Sequence, residues 1–420
     1  MNSKVIFIQL CYTKENINKI YLRREGIYME YWKKNLGICC FACFIVSIGM
    51  SQMAPILPLY IAETGITNPA DIARWSGIIF GANFISLAIA SPIWGRLSDR
   101  YGRKPMALRA SLWLGIIMIG MGLAQNVWQM TALRLIQGAM SGFLGAITPL
   151  IAQETPEDKS GWALGIFFTS QVSGALIGPL LGGWLSEMFS CRQTFFVVGG
   201  FCFLGFIATC FIHETFRLQP KAAALSLREV WASLPDSRLI FGLFITTFLM
   251  HFSLMSIQPI ITVYIATLIP ESDHIALTAG AVFSAAGIAS ALSASRIGHL
   301  SDRIGPQRVL LAALIVAGLV FLPQAFVRTP LELGTLRFIL GLATAGLLPS
   351  INSLIRRSTP SFCMGRIYGL NQAAQFTGMF SGSVLGGWLA ASIGIASVFL
   401  IPGVLLLINA GWFRFMSYRP

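Results

Sequence analysis

The stretch GRLSDRYGRKP, residues 95–105, carries five charged side chains in eleven positions, although only 11% of the 420-residue chain is charged. Nearly unbroken apolar sequence flanks it on both sides. A second stretch, GHLSDRIGPQR at 298–308, repeats the pattern about two hundred residues later. The fold has to account both for this concentration of charge and for its repetition.

The apolar flanks define the class of protein. Hydrophobic residues make up 55% of the chain, and segments such as 37–60 and 106–124 run for about twenty residues without an acid. Twenty helical residues rise ~30 Å, which is the hydrocarbon thickness of a bilayer. Lipid offers no partner to backbone N–H and C=O groups, and the runs are too long and uniform for barrel strands. The composition therefore predicts an all-α protein that crosses the membrane several times.

Twelve apolar segments are candidate spans. They cover roughly 37–60, 75–95, 106–124, 128–152, 161–185, 194–213, 238–266, 277–297, 309–327, 331–354, 365–390 and 394–415. Between the sixth and the seventh lies a polar stretch at 214–237, which we interpret as a linker. We thus expect an N-terminal segment (1–36), a six-helix bundle (37–213), the linker and a second bundle (238–420), with a central cavity between the bundles.

The basic residues support both the number of spans and an orientation. With a cytoplasmic N-terminus, 25 of the 30 Lys and Arg residues fall in cytoplasmic segments, and the linker and C-terminus are cytoplasmic too. The outer segments hold three, Arg74, Arg192 and Arg328, and the remaining two, Arg134 and Arg337, lie inside spans. Short cytoplasmic loops retain basic residues. The net charge of +13 is therefore explained by topology, and no nucleic-acid partner is expected.

The repetition extends through the whole chain. Asp99-Arg100 matches Asp302-Arg303 at an offset of 203, and the run at 182–185, GGWL, matches the same letters at 386–389. Two six-helix halves in parallel orientation are typical of transporters that alternate about a central site. A channel or a membrane enzyme has no comparable need for duplicated halves.

The charged stretch resembles the loop motif GxxxDRxGR[RK] of the major facilitator superfamily. The match covers Gly95, Asp99, Arg100, Gly102, Arg103 and Lys104. The resemblance implies a latch, in which Asp99 bonds to the other half and closes the cytoplasmic side while Arg100 and Arg103 pair with helix-end acids or carbonyls. The second copy keeps Asp302 and Arg303 but has Pro306 and Gln307 in place of the basic pair, so we expect the first copy to carry more of the latch. The alternative is that these charges only anchor the topology.

The fifth span resembles the antiporter motif of the twelve-span drug:proton antiporters within that superfamily. The motif residues are Gly165, Gly174, Gly178, Pro179, Gly182 and Gly183. Glycines at this spacing allow close helix packing, and a proline bends a helix. Ordinary small-residue packing is the alternative, because the second half keeps the glycines but has Ser383 in place of Pro179. The resemblance implies an exporter.

Two further motifs fit the same family. Pro55 and Pro58 resemble its first-helix proline pair, and each removes a backbone donor. The fourth span holds Arg134, Gln137 and Gly138, which match the family's RxxQG. An arginine within a span is a functional candidate, although Arg134 is ~9 Å from the outer end and could snorkel. Arg337 is its repeat partner.

The proton carrier is the least determined feature. None of the 17 acids falls in the middle of a span. An unperturbed histidine titrates near neutrality, so His251 in the seventh span is one candidate, although a lone histidine in an apolar helix is more often a packing residue. Asp99 and Glu154, on the cytoplasmic side, are the rival candidates.

The same absence of mid-span acids bears on the substrate. With Arg134, Arg337 and His251 as the charges near the cavity, we expect it to favour neutral or anionic amphipathic molecules over dications. The cysteines suggest small apolar roles, and no phosphate-binding loop, HExxH or dinucleotide motif is present. We expect no enzyme activity, no metal and no cofactor, and a monomer in the bilayer that is driven by the proton gradient.

The first 28 residues do not resemble a signal peptide, and Met29 is a plausible start, because the family resemblance begins near there. The whole sequence predicts a proton-coupled exporter of small amphipathic molecules in a bacterial inner membrane. A symporter or metabolite carrier of the same superfamily is the alternative within transport. A non-transporting membrane sensor or enzyme is the alternative from another class.

Overall fold

The computed structural model describes residues 31–214 and 227–417. Within these residues twelve helices are long and apolar enough to cross a membrane. In chain order, α1 to α12 are Tyr31–Glu63, Pro69–Tyr101, Arg103–Leu123, Val127–Glu154, Glu157–Met188, Cys191–Cys210, Ser237–Leu268, Ile275–Ile304, Pro306–Phe326, Pro330–Ser358, Met364–Ile393 and Ala396–Met416. The predicted all-α membrane fold with twelve spans is confirmed, and the possible start at Met29 lies outside the described residues.

The helices form two hydrophobic cores. One core is built from buried residues between Trp32 and Ile212, and the other from buried residues between Val230 and Phe413 together with Ala73 of α2. Phe283 of α8 packs against both cores. The part of the predicted linker that is described holds a short helix, Leu227–Ala232, whose Val230 is buried in the second core.

Four spans contain breaks, at matching places in the two halves. Regular helix stops at Gln52 in α1, one turn before Pro55, and gives way to a 3-10 turn around Pro259 in α7. Breaks also occur at 141–142 in α4 and at 345–346 in α10. Proline cannot donate to the preceding turn, which accounts for the first pair of breaks. Pro55 and Pro58 are both buried within α1.

The helices extend further than predicted. The second span was expected to end at 95, but α2 continues to Tyr101, and α3 begins at Arg103. Most of GRLSDRYGRKP is therefore helical, and the turn consists of Gly102 alone, at φ +99°. Glycine accepts this backbone conformation without strain, so one residue can reverse the chain. Gly305, at φ +91°, makes the same turn between α8 and α9.

The two ends of the bundle are named here by their connections. The linker side carries Gly102, Gly305 and the two described ends of the linker, Glu214 and Leu227, and the distal side carries the connections at 64–68, 189–190 and 269–274. Odd-numbered helices run from the linker side to the distal side, and even-numbered helices run back.

Candidate functional site

The two halves approach each other through glycines in two helix pairs on the distal side, α5 with α8 and α2 with α11. A Cβ at Gly183 of α5 would collide with the Ala276 carbonyl of α8, and a Cβ at Gly387 of α11 would collide with the Ala73 carbonyl of α2. These four residues are repeat partners. Backbone therefore meets backbone at both contacts, which only glycine permits.

Hydrogen bonds reinforce the α5–α8 contact. Ser284 Oγ donates to the Leu176 carbonyl at 2.7 Å, and the backbone N–H of Leu277 donates to Glu187 Oε1 at 2.8 Å. His274 Nδ1 lies 3.0 Å from Glu187 Oε2. These bonds hold the distal end of the interface closed.

The antiporter motif serves two different surfaces. Gly174, Gly178 and Gly182 face α1 in the same half, where a Cβ would meet Phe44, Ser51 and Gln52 respectively. Gly183 faces α8, and the Pro179 carbonyl packs against Gly280 of the same helix. Gly165 has no heavy atom of the described residues within 4 Å of a Cβ built on it. Part of the motif builds one half, and part of it joins the halves.

On the linker side the same four helices present glycines to open space. Four glycines on this side have no heavy atom of the described residues within 4 Å of a Cβ built on them. They are Gly95, Gly165, Gly298 and Gly369. Each lies 18 residues from a packed glycine of the same helix, namely Gly77, Gly183, Gly280 and Gly387. Eighteen residues are five helical turns, or ~27 Å along one face. Each interface helix thus has one occupied and one open glycine on the same face.

The first charged motif is anchored by an acid that the sequence analysis assigned no role. Glu214, just beyond α6, accepts the backbone N–H of Arg103 at 2.6 Å and that of Lys104 at 2.8 Å. A carboxylate at these amides neutralises the positive end of the α3 dipole. Gly102 is needed here also for space, because a Cβ there would lie 2.8 Å from Glu214 Oε2.

The acid of this motif stays within its own half in this structure. Asp99 pairs with Arg103 at 3.0 Å, and 67% of the Asp99 side chain is exposed. Arg100 lies over the Tyr101 ring. In the second copy of the motif, Asp302 and Arg303 lie in the last turn of α8, and Pro306 is the first residue of α9. A bond from Asp99 to the other half stays a prediction for a state in which the linker side is closed.

Arg134 is buried and has polar partners. Its Nη1 donates to Gln137 Oε1 at 2.6 Å, its Nε donates to the Ile79 carbonyl at 3.3 Å, and the guanidinium lies 5.4 Å from the Phe80 ring centroid. Gly138 packs on the Asn83 carbonyl of α2. The RxxQG residues thus hold the arginine against α2 and bring the two helices together. With 3% of its surface exposed, Arg134 does not snorkel to the distal end.

Arg337 occupies the repeat-related place without the same partners. Its Nε and Nη2 are buried and have no hydrogen-bond partner among the described residues. The residue that corresponds to Gln137 is Leu340, which cannot accept a hydrogen bond. The second half therefore contains a buried cation with free donors, and such groups are costly unless something pairs with them.

His251 belongs to a polar seam within the second half. Its Nδ1 lies 2.9 Å from the Thr247 carbonyl, and Thr247 Oγ1 donates to Asn371 Oδ1 of α11 at 2.8 Å. A carbonyl only accepts, so Nδ1 carries the proton and Nε2 keeps its lone pair when the ring is neutral. Glu154, another predicted proton candidate, ends α4 on the linker side.

The comparisons with known proteins agree with this architecture. The family model described as Major Facilitator Superfamily matches residues 39–291 and 243–420. Multidrug resistance protein MdtG of Yersinia enterocolitica is 42% identical over 380 residues, covering 90% of this chain and 92% of that protein. MdtG of Klebsiella pneumoniae is 41% identical over 390 residues, covering 93% and 95%.

Two solved structures share the fold at low sequence identity. The nucleoside transporter NupG superposes with a TM-score of 0.74 at 15% identity, covering 92% of this chain and 100% of that chain. A bacterial homologue of the human lysosomal transporter Spinster, in an inward-facing and unoccupied conformation, gives 0.74 at 13% identity, covering 92% and 97%.

The chain belongs to the major facilitator superfamily. The resemblance noted in the charged motif and the fifth span is confirmed, and the chain is a multi-pass membrane transport protein and not an enzyme.

Proposed function

We propose that this transporter exports small neutral or anionic amphipathic compounds, drugs among them, in exchange for protons. The observation that carries the proposal is the α5 motif together with 42% identity to a multidrug resistance protein across 90% of the chain. In the proposal the protein acts as a monomer without a cofactor and draws its energy from the proton gradient across a bacterial inner membrane.

The linker side is the cytoplasmic side in this proposal. The support is the distribution of basic residues, because 25 of 30 fall in segments on that side if the described topology continues into the termini. Both termini are then cytoplasmic, and the structure corresponds to a state closed to the outside.

Transport proceeds by alternating closure of the two ends. The glycine pairs on α2, α5, α8 and α11 support this mechanism. The open linker-side glycines are placed to repeat, at the cytoplasmic end, the backbone contacts that now exist at the distal end. Closing one end then requires opening the other, since each half moves largely as a rigid bundle.

The proposed preference for neutral or anionic compounds rests on two buried cations, Arg134 and Arg337. All acids of the described residues lie at helix ends or in connections, whereas Arg134 and Arg337 are buried. Arg134 already bonds to Gln137 and to a carbonyl, so Arg337 is the cation with donors to offer. An anionic group paired with Arg337 would satisfy those donors.

The proton carrier is assigned among His251, Asp99 and Glu154. Of these, His251 is closest to the middle of its helix, and its Nε2 is free to accept a proton when the ring is neutral. Cycles of protonation there would act through Thr247 on the α7–α11 contact. Asp99 and Glu154 remain the alternatives on the linker side.

The proposal is tested in everted membrane vesicles that carry an imposed pH gradient and an interior pH dye. Anionic, neutral and cationic compounds are added in turn. Dissipation of the gradient by neutral and anionic compounds, lost in Asp99→Asn and Arg134→Ala, is the expected result. A quaternary dication as the preferred substrate, or no response to any compound, would contradict the proposal.

A matched pair of variants tests the role of Arg337 in the same vesicles. Leu340→Gln would give Arg337 the partner that Gln137 gives Arg134, and Gln137→Leu is the converse change. We expect Leu340→Gln to raise the KM for anionic compounds about tenfold, the effect of occupying a charged donor, and to leave neutral compounds unaffected. An equal effect on both classes would mean that Leu340 matters only for packing.

A further inference from the structure

The distal contact contains a histidine–carboxylate pair that joins the halves. Glu187 lies in the last turn of α5, and its two oxygens contact the start of α8: Oε1 accepts the Leu277 N–H at 2.8 Å, and Oε2 lies 3.0 Å from His274 Nδ1. His274 is the N-cap of the regular part of α8 and makes no side-chain cap of its own. Glu187 therefore caps α8 from the opposite half of the molecule.

The repeat-related contact has no such pair. The positions that correspond to His274 and Leu277 are Asp71 and Arg74, which pair with each other within α2 at 3.3 Å. Asn68 caps α2 from within, and the position that corresponds to Glu187 is Ala391. Within the described residues, ionisable side chains therefore pair across the halves at the α5–α8 interface and not at the α2–α11 interface.

We propose that His274, held against Glu187, is an external proton-binding site whose occupancy favours closure of the distal end. The His274 side chain is 74% exposed, whereas the Glu187 side chain is 17% exposed. Protons on the distal side reach the histidine directly. The carboxylate that pairs with the protonated histidine is largely shielded from solvent. The site deepens the proposed function and rests on it, because the distal side is outside only in the proposed orientation.

The pKa of His274 shifts in the direction that this proposal requires. The hydrogen bond that His274 donates to Glu187, and then the negative charge of that carboxylate, raise the pKa of His274 above the ordinary value of 6.5, and Asp273 adds to the rise. Opening the distal end removes Glu187, so His274 binds a proton more tightly in the closed state. By linkage, protonation stabilises closure. This stabilisation is fully present below the open-state pKa and is lost as external pH rises through the higher closed-state pKa.

Two other acids at helix ends on the distal side have partners of their own. Glu63 of α1 accepts the Cys191 N–H, and Glu332 of α10 accepts the Arg328 N–H. Glu271, in the connection before α8, is exposed and carries the same sign as Asp273. The acids that act on His274, Glu187 and Asp273, both favour its charged form, and Glu187 is the one that the opening of the halves would remove.

An external proton would thus assist the step in which an exporter returns to its inward-facing state. The proton on His274 returns to the outside when the distal end next opens, so it regulates the cycle and is not the transported proton. Export should accelerate in acid surroundings even when the size of the pH gradient is held constant.

The experiment measures distances in the full chain in lipid nanodiscs. Spin labels are attached at positions 189 and 270, in the connections that follow α5 and precede α8, after replacement of the eight native cysteines. The distance distribution is recorded between pH 5 and pH 8.5 without substrate. We expect the closed-to-open ratio to rise about two- to fivefold as pH falls, the range for an ion pair with one exposed partner.

Three variants decide the assignment. His274→Gln and Glu187→Gln should each abolish the pH dependence, and Arg74→Gln, which breaks the exposed pair within α2, should leave it unchanged. Unchanged pH dependence in His274→Gln would overturn the proposal. Because no substrate is present, failure here is distinct from failure of the export assay, which tests direction and coupling.

Discussion

The two ends of the interface between the halves differ, although the same helices form both. On the distal side Gly77, Gly183, Gly280 and Gly387 pack backbone against backbone. On the linker side Gly95, Gly165, Gly298 and Gly369 have no neighbour within 4 Å in the part of the chain that the structure describes. Each pair is five turns apart on one helix face. The comparison indicates that glycine is retained at the open end because that end also has to close.

The largest expected effect is at the packed end. In Gly183→Val, side-chain atoms would occupy the space of the Ala276 backbone, and overpacking costs about 1–3 kcal/mol. Transport should fall at least tenfold, and the distance between positions 189 and 270 should lengthen. Gly200→Ala is the control, since a Cβ at Gly200 has open space. Normal transport by Gly183→Val would show that this contact is dispensable.

A bulky side chain at the open end should favour the present state, in which the distal end is closed, whereas Gly183→Val disfavours it. Gly95→Val has no clash in the present state, so the 189–270 distance should stay short. It would obstruct closure of the linker side, and transport should fall severalfold, by about the same packing penalty applied to the other state. Distances measured under turnover check this, and an accumulation of the distal-open state would contradict it.

A smaller effect is expected at the anchor of the charged motif. Glu214→Gln removes the charge that faces the α3 amides, which should lower the free energy of unfolding by about 1 kcal/mol. Thermal unfolding in detergent measures it, with Glu157→Gln as the control. An equal loss of unfolding free energy in both variants would mean that the effect comes from surface charge and not from the bonds of Glu214 to the α3 amides.

The smallest effect concerns pH at the packed end. Because Glu187 raises the pKa of His274, export at a constant pH gradient should slow modestly, by about two- to fivefold, as external pH rises above the His274 pKa. Transport rates in proteoliposomes at matched gradients check this. His274→Gln should show a flat profile.

The sequence predicted the class, the number of spans and the motifs, because twenty-residue apolar runs, charge bias and an internal repeat are long-range signals. Repeat partners such as Gly183 and Gly387 were identified from spacing alone. Which face each glycine uses was not, since Gly182 and Gly183 differ by one helical position and contact different halves. Helix ends were placed too early for α2, because charged residues within a helix resemble a loop in sequence.

Glu187 and Glu214 belong to the acids outside the middle of the spans, and the sequence assigned them no role. Their partners are backbone amides of Leu277, Arg103 and Lys104, which lie 90 to 111 residues away in the chain. Sequence patterns carry no signal for such a contact. The one available hint was asymmetry, since Ala391 replaces Glu187 in the repeat.

The most direct test of the central claim follows both ends of one helix pair. Spin labels at positions 189 and 270 report the distal end of α5 and α8, and labels at 161 and 300 report the linker end. We expect the first distance to lengthen under the same conditions, and in the same fraction of molecules, in which the second shortens. Two distances that change together, or a linker end that never closes during turnover, would contradict alternating closure at paired glycines.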